Sequence, residues 1–120
     1  MVGPSYVPDR GDIIWLDLVP QAGTEINKCR PCLVLTPKAL SRKTKKCFII
    51  PITRTAPQIP TQLPLPSSLE GVEGTLLVEQ MKSLDYRARN ARKITTLDDK
   101  GLYEQVVRVL NAMIVGRVQV

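Results

Sequence analysis

Cys47-Phe48-Ile49-Ile50-Pro51-Ile52 is the stretch on which the fold turns. It is rich in strand formers, short, and nearly continuous in apolar character rather than alternating. A strand of that kind is buried on both faces, inside a small barrel or under a helix. Two similar runs lie upstream. Ile13-Ile14-Trp15-Leu16-Asp17-Leu18 is opened by Arg10-Gly11-Asp12 and closed by Pro20, and Cys32 to Leu35 is stopped by Pro37. All 10 prolines stand at or before Pro66, which excludes a long helix in that half. Gln21 to Lys28 reads as a polar loop, and the very basic Lys38 to Lys46 as a hairpin tip.

Further along, the proline-alternating segment Thr55 to Ser68 has edge-strand character at best, because proline cannot donate to a ladder. Glu70-Gly71-Val72-Glu73-Gly74 is a turn, and Thr75 to Glu79 a fourth strand. Ser83 to Arg87 begins a short helix or turn, and Arg92 to Thr95 is a last short strand. The period then changes. Leu102, Val106, Val109, Leu110, Met113 and Ile114 recur at the steps of one helical face, predicting a helix from about Asp98 to about Val115. Thr96 with Asp99 forms a weak capping box at its start. The stripe is expected to cover the open side of the barrel or a partner subunit. Several short strands followed by one helix make an α+β or barrel-plus-helix domain.

At 120 residues the chain is expected to be one domain, with 43% hydrophobic residues enough for a single core. It contains no histidine, which excludes a Ser-His-Asp triad, a Cys-His pair, histidine-held zinc and a histidine-driven ribonuclease. The 3 cysteines include Cys29 and Cys32 as a CxxC. Redox sites of that spacing sit at a helix N-terminus, whereas here the flanks read as a strand, so unpaired thiols in a reducing cytoplasm are expected. No run approaches the roughly 20 apolar residues of a membrane span.

The net charge is +6, and it is unevenly spread. From Ile26 to Leu69 no acidic residue occurs, while Lys28, Arg30, Lys38, Arg42, Lys43, Lys45, Lys46 and Arg54 do. A second basic group comprises Lys82, Arg87, Arg89, Arg92 and Lys93. A solvated surface interleaves acids with bases; two segregated clusters point instead to a polyanion. Aromatic residues are too scarce for a broad stacking platform of the RRM kind, so composition leads to a basic nucleic-acid binder, catalytic or not.

Five segments taken in order resemble one family. Tyr6-Val7-Pro8-Asp9-Arg10-Gly11-Asp12-Ile13-Ile14-Trp15 is similar to the opening of the MazF/PemK (Kid) toxin endoribonucleases, and Pro20-Gln21-Ala22-Gly23-Thr24-Glu25 to their P-x-x-G-x-E loop. Arg30-Pro31-Cys32-Leu33-Val34-Leu35-Thr36-Pro37 resembles the Arg-Pro step and next strand, and Ile50-Pro51-Ile52-Thr53 the third strand with its threonine. Glu79-Gln80-Met81-Lys82-Ser83-Leu84-Asp85-Tyr86-Arg87-Ala88-Arg89 resembles the [DE]-Q-x-[KR]-[ST]-[IL]-x-x-[RK]-A-R stretch. The resemblance implies a small SH3-like β-barrel with a C-terminal α-helix, occupying residues 1–120 as a single cytoplasmic homodimeric domain. It implies cleavage of single-stranded RNA without a metal or other cofactor, to a 2′,3′-cyclic phosphate and a 5′-hydroxyl, and inhibition by an acidic antitoxin segment that imitates a phosphate backbone.

The same resemblance assigns residues. Arg30 matches the catalytic arginine, and a guanidinium suits electrostatic stabilisation of a phosphorane because it holds two oxygens at once and stays protonated. Thr53 matches the catalytic threonine, whose hydroxyl can donate to a non-bridging oxygen. Glu25 is placed to accept the 2′-hydroxyl proton or to orient Arg30. Glu79 and Gln80 read base edges of a splayed strand, and Lys82, Arg87 and Arg54 contact phosphates. Some members carry a histidine at the position of Thr24 and an arginine at that of Leu77; their Arg–acid–His mechanism cannot apply here. The alternative from another class is a non-catalytic RNA-binding module or a gyrase poison of CcdB-like fold.

Overall fold

A computed structural model describes residues 6–18 and 28–116. Seven strands and two helices follow one another as β1 (Asp12–Leu18), β2 (Lys28–Val34), α1 (Lys38–Thr44), β3 (Cys47–Thr53), β4 (Gln62–Pro64), β5 (Thr75–Leu77), β6 (Lys82–Leu84), β7 (Arg92–Thr96) and α2 (Lys100–Val115). All strand pairings are antiparallel, in the order β4-β5-β3-β2-β1-β7, with β6 branching onto β3. Among the described residues β4 and β7 do not pair, so the ladder of the expected barrel is left open. The element content is α+β, as expected.

The apolar runs are explained by what covers each side. Ile13, Leu33, Ile50, Ile52 and Leu76 pack on one side with Leu102 and Val106 of α2. Ile14, Leu16, Cys32, Val34, Cys47 and Ile49 pack on the other with Tyr86. A strand that sends alternate side chains into two cores has no wet face, and hence no polar alternation. Pro64 lies on the edge strand β4, where its missing N–H leaves no ladder bond broken. Helix α2 starts where Asp99 caps it, its carboxylate accepting from the Leu102 N–H at 3.0 Å. Leu102 and Val106 are buried, but Met113, Ile114 and Val115 at its far end are exposed.

Two local expectations are corrected. Lys38 to Lys46 holds a short helix, α1, rather than a hairpin tip. Pro37 opens it and Lys45, at φ 65°, ends it in a left-handed turn. Its one buried side chain, Ser41, lies 3.0 Å from the Thr36 hydroxyl, and its carbonyl accepts from Tyr86 Oη at 3.1 Å. One buried residue in seven leaves no periodic stripe to read. The second correction concerns Ser83 to Arg87. Lys82–Leu84 is strand β6, paired to β3 through Cys47↔Leu84, Phe48↔Ser83 and Ile49↔Lys82, and the turn begins only at Asp85. The fourth strand is also shorter than expected, since Val78–Gln80 is a 3-10 turn.

A candidate RNA-cleaving groove

The register of three strands assembles the site. Strand β2 pairs with β3 through Cys32↔Pro51, Leu33↔Ile50 and Val34↔Ile49. The pairing of β2 with β3 ends there, and Arg30, two residues back along β2, pairs with Leu16 of β1. Thr53 in turn pairs with Thr75 of β5.

Arg30 and Thr53 share a groove of about 740 Å³, lined also by Trp15, Arg54, Val72 and Glu73 among others. The Thr53 hydroxyl is oriented locally: it donates to Thr55 Oγ1 at 3.4 Å and accepts from the Thr55 N–H at 3.3 Å. Trp15 is 36% exposed on β1 and pairs with Pro31 on one side and Arg92 on the other. Trp15 lines the groove. The opposite wall is the β4–β5 connection. Gly74, at φ 135°, lies so close to β3 that a Cβ there would overlap the Thr53 carbonyl oxygen. Its own carbonyl accepts from the Leu65 N–H at 2.9 Å. A residue without a side chain is required at that approach, and it pins Glu73 to the rim.

The groove gathers Arg30, Thr53 and Arg54, three of the residues singled out from sequence. Glu25, with its loop Pro20 to Glu25, lies outside the described residues. The others are elsewhere. Glu79 sits in the 3-10 turn with its carboxylate accepting from Thr61 Oγ1 at 2.7 Å and from Gln62 Nε2 at 2.9 Å. Partial burial raises its proton affinity, but these two donors outweigh that and hold it below the usual glutamate range. Gln80 is exposed beside it, and Lys82 is exposed on β6. Arg87 follows Asp85, whose carboxylate accepts from the Arg87 and Ala88 N–H groups at 3.0 and 3.1 Å. Of the second basic group, Arg89 lines a separate hollow of about 470 Å³ together with Asp17, Lys46, Ser83 and Asp85 among others.

The cysteines carry no thiolate chemistry. Burial pushes the thiols of Cys32 and Cys47 up to about 12. Cys29 is exposed on the strand, and its thiol is raised first by desolvation and then by Asp17, against the opposing pull of Arg92. Arg92 Nη2 donates to Cys29 Sγ at 2.9 Å. Cys29 and Cys32, three apart on one strand, project to opposite faces.

Trp15 and Glu73 are groove residues that reading the sequence did not select. Trp15 was hidden inside a run that otherwise reads as core. Glu73 stood in a turn, where the flanking Gly71 and Gly74 were a signal that backbone approaches backbone closely.

The sequence matches the family described as PemK-like, MazF-like toxin of type II toxin-antitoxin system over residues 9–114. It is 35% identical over 111 residues to the endoribonuclease toxin MazF of Escherichia coli strain K12, covering 92% of this chain and 96% of that protein. It is 32% identical over 95 residues to the endoribonuclease EndoA of Bacillus subtilis strain 168, covering 76% and 81%. The fold superposes on MazF from the MazE–MazF crystal structure (Form-II) of Deinococcus radiodurans with a TM-score of 0.84, at 34% identity, covering 94% of this chain and 100% of that one.

Proposed function

The chain belongs to the PemK-like, MazF-like toxin family of type II toxin–antitoxin systems, and on that footing we propose that it is a sequence-specific, metal-independent endoribonuclease of single-stranded RNA. The observation that supports this reading is that Arg30, Thr53 and Arg54 line one groove of about 740 Å³.

The 2′-hydroxyl attacks the adjacent phosphorus, and the products are a 2′,3′-cyclic phosphate and a 5′-hydroxyl. Arg30 supplies two charge-assisted donors to the equatorial oxygens, whose charge grows as the phosphorane forms. Thr53 donates a third hydrogen bond, and its hydroxyl is held ready by Thr55. Arg54 lies in the same groove and neutralises a neighbouring phosphate. Trp15 stacks on a base. Glu25 accepts the 2′-hydroxyl proton or orients Arg30. Glu79 and Gln80 read base edges at the β4–β5 side, and Lys82 and Arg87 carry the strand onward. The enzyme acts in the cytoplasm as a homodimer, for which the exposed Met113, Ile114 and Val115 at the end of α2 offer apolar surface. An acidic antitoxin segment inhibits it by occupying the groove. Support for such a partner comes from the Deinococcus radiodurans relative, which was crystallised with MazE.

Incubation of the purified protein with a long single-stranded RNA in EDTA tests the reading. Cleavage with cyclic phosphate ends is expected, and Arg30→Ala lowers kcat by about 10²- to 10³-fold. A wild-type protein that cuts no RNA sinks the enzyme reading in favour of a binder, and undiminished cleavage by Arg30→Ala refutes the assigned role.

A further inference from the structure

Transfer of a phosphoryl group to a 2′-hydroxyl requires a proton acceptor beside the nucleophile, and arginine and threonine are poor ones. Among the described residues that line the groove, Glu73 is the one carboxylate. Three features fix its place. Gly74 abuts the Thr53 backbone so closely that no side chain fits between them, which ties the preceding residue to the strand carrying Thr53. The Leu65 N–H bond to the Gly74 carbonyl closes the same loop from its other end. Arg30 of β2 lines the same groove as Thr53 and the Glu73 loop held against it.

Among the described residues, no ion pair joins the charges in the groove. Ion pairs within 4.0 Å among the described residues are Arg92–Asp17 and Lys93–Asp12. Glu73 is therefore in neither an ion pair with Arg30 nor one with Arg54, although it shares their cavity. A carboxylate and two guanidinium groups that face one groove without touching leave room between them for a group that binds both: an anion for the cations and a hydroxyl for the carboxylate. A ribose 2′-hydroxyl beside its own phosphate is such a group.

We propose that Glu73 is the general base of this site, accepting the 2′-hydroxyl proton while Arg30 and Thr53 hold the phosphate, which leaves Glu25 to orient Arg30. The inference rests on the endoribonuclease reading above. In the step, the 2′-oxygen–phosphorus bond forms and the phosphorus–5′-oxygen bond breaks. The 2′-hydroxyl proton passes to Glu73, the departing 5′-oxygen takes a proton from water, and Glu73 returns its own to the solvent.

The test measures wild type, Glu73→Gln and Glu73→Ala on one single-stranded RNA in EDTA, with Glu25→Ala and Arg30→Ala alongside and thermal melts of each. Glu73→Gln is expected to lower kcat about 100-fold or more, within the range for loss of a general base, with KM changed by no more than about 2-fold. Added formate is expected to restore part of the lost rate to Glu73→Ala and none to Arg30→Ala, because a small carboxylate replaces a base but not a cation. Retention of kcat by Glu73→Gln overturns the assignment. So does a loss confined to KM, failure of formate with a Glu73→Ala protein that melts normally, or rescue of Glu25→Ala instead. A wild-type protein inactive on RNA defeats the endoribonuclease reading itself, a result distinct from an active wild type with an unaffected Glu73→Gln.

Discussion

Adding one methyl group at Gly74 tests the packing that builds the groove wall. The Cβ of Gly74→Ala overlaps the Thr53 carbonyl oxygen, lies 3.0 Å from its carbonyl carbon and 3.4 Å from the Arg54 Cα, and all three neighbours are backbone. None can rotate away, so the loop must withdraw, by a distance on the order of 1 Å, which is enough to cost about 100-fold when it separates reacting groups. The φ of 135° adds a conformational penalty of about 1–3 kcal/mol for a residue with a Cβ. Overpacking adds about as much again, for a total of about 3 kcal/mol. For a domain of this size that corresponds to a fall in Tm of roughly 12 °C. Gly116→Ala is the internal control. It too has a positive φ, 81°, but nothing lies within 4 Å of its would-be Cβ, so the conformational penalty of about 1–3 kcal/mol is expected without the collision. Both changes narrow the unfolded ensemble alike, and the difference between them isolates the collision. Melts followed by circular dichroism, with kcat measured on RNA, check both halves. Equal melting of the two variants, or a Gly74→Ala protein with wild-type kcat, refutes the account of a loop held against Thr53.

Glu79→Gln is expected to reduce stability at neutral pH and to lose that deficit in acid. The folded-state proton affinity of Glu79 is lowered from the value of 4.5, so its contribution is complete above about pH 5.5 and disappears as the pH falls through 4.5 and below. Melts of wild type and variant should therefore converge toward about pH 3, and a gap that stays constant across that range contradicts the role given to the Thr61 and Gln62 donors. Binding of a non-cleavable single-stranded RNA is expected to weaken linearly in log–log plots against salt, with a slope of about 0.7 per phosphate contacted. Arg54→Ala should reduce that slope by about one phosphate, and an unchanged slope removes Arg54 from the contact set.

The parts of the fold legible in the sequence were those whose cause is local. The apolar run stopped by Pro37 is strand β2, which ends at Val34, and the proline-rich segment judged to be an edge holds the edge strand β4. Helix α2 announced itself by period and by Asp99, which caps it in the structure. Helix α1 was not legible because a helix that buries only Ser41 has no apolar face to repeat. Strand β6 was not legible because Lys82 and Ser83 are exposed, leaving Leu84 as its one core contact beside the pairing to β3. The site divided on the same line. Arg30, Thr53 and Arg54 were selected by type and neighbours, and they share the groove. Glu73 required knowing which strand its turn would touch, and that contact is made by a backbone, not a side chain.

The distance in sequence between Arg30 and Thr53 means that nothing near either residue aligns them; the buried halves of β2 and β3 do. Cys32 and Val34 enter one core with Ile49, while Leu33 enters the other with Ile50 and Ile52. A slip of one residue sends each of these to the wrong side, and with both sides buried neither is tolerant of it. The same slip displaces Arg30 relative to Thr53 in the groove they share. The apolar continuity of Cys47 to Ile52 therefore has two consequences: it buries every side chain of the run but Phe48, and through that it fixes where Arg30 and Thr53 stand at the groove. A substitution deep in either core that loosens this pairing acts on the chemistry without touching the groove.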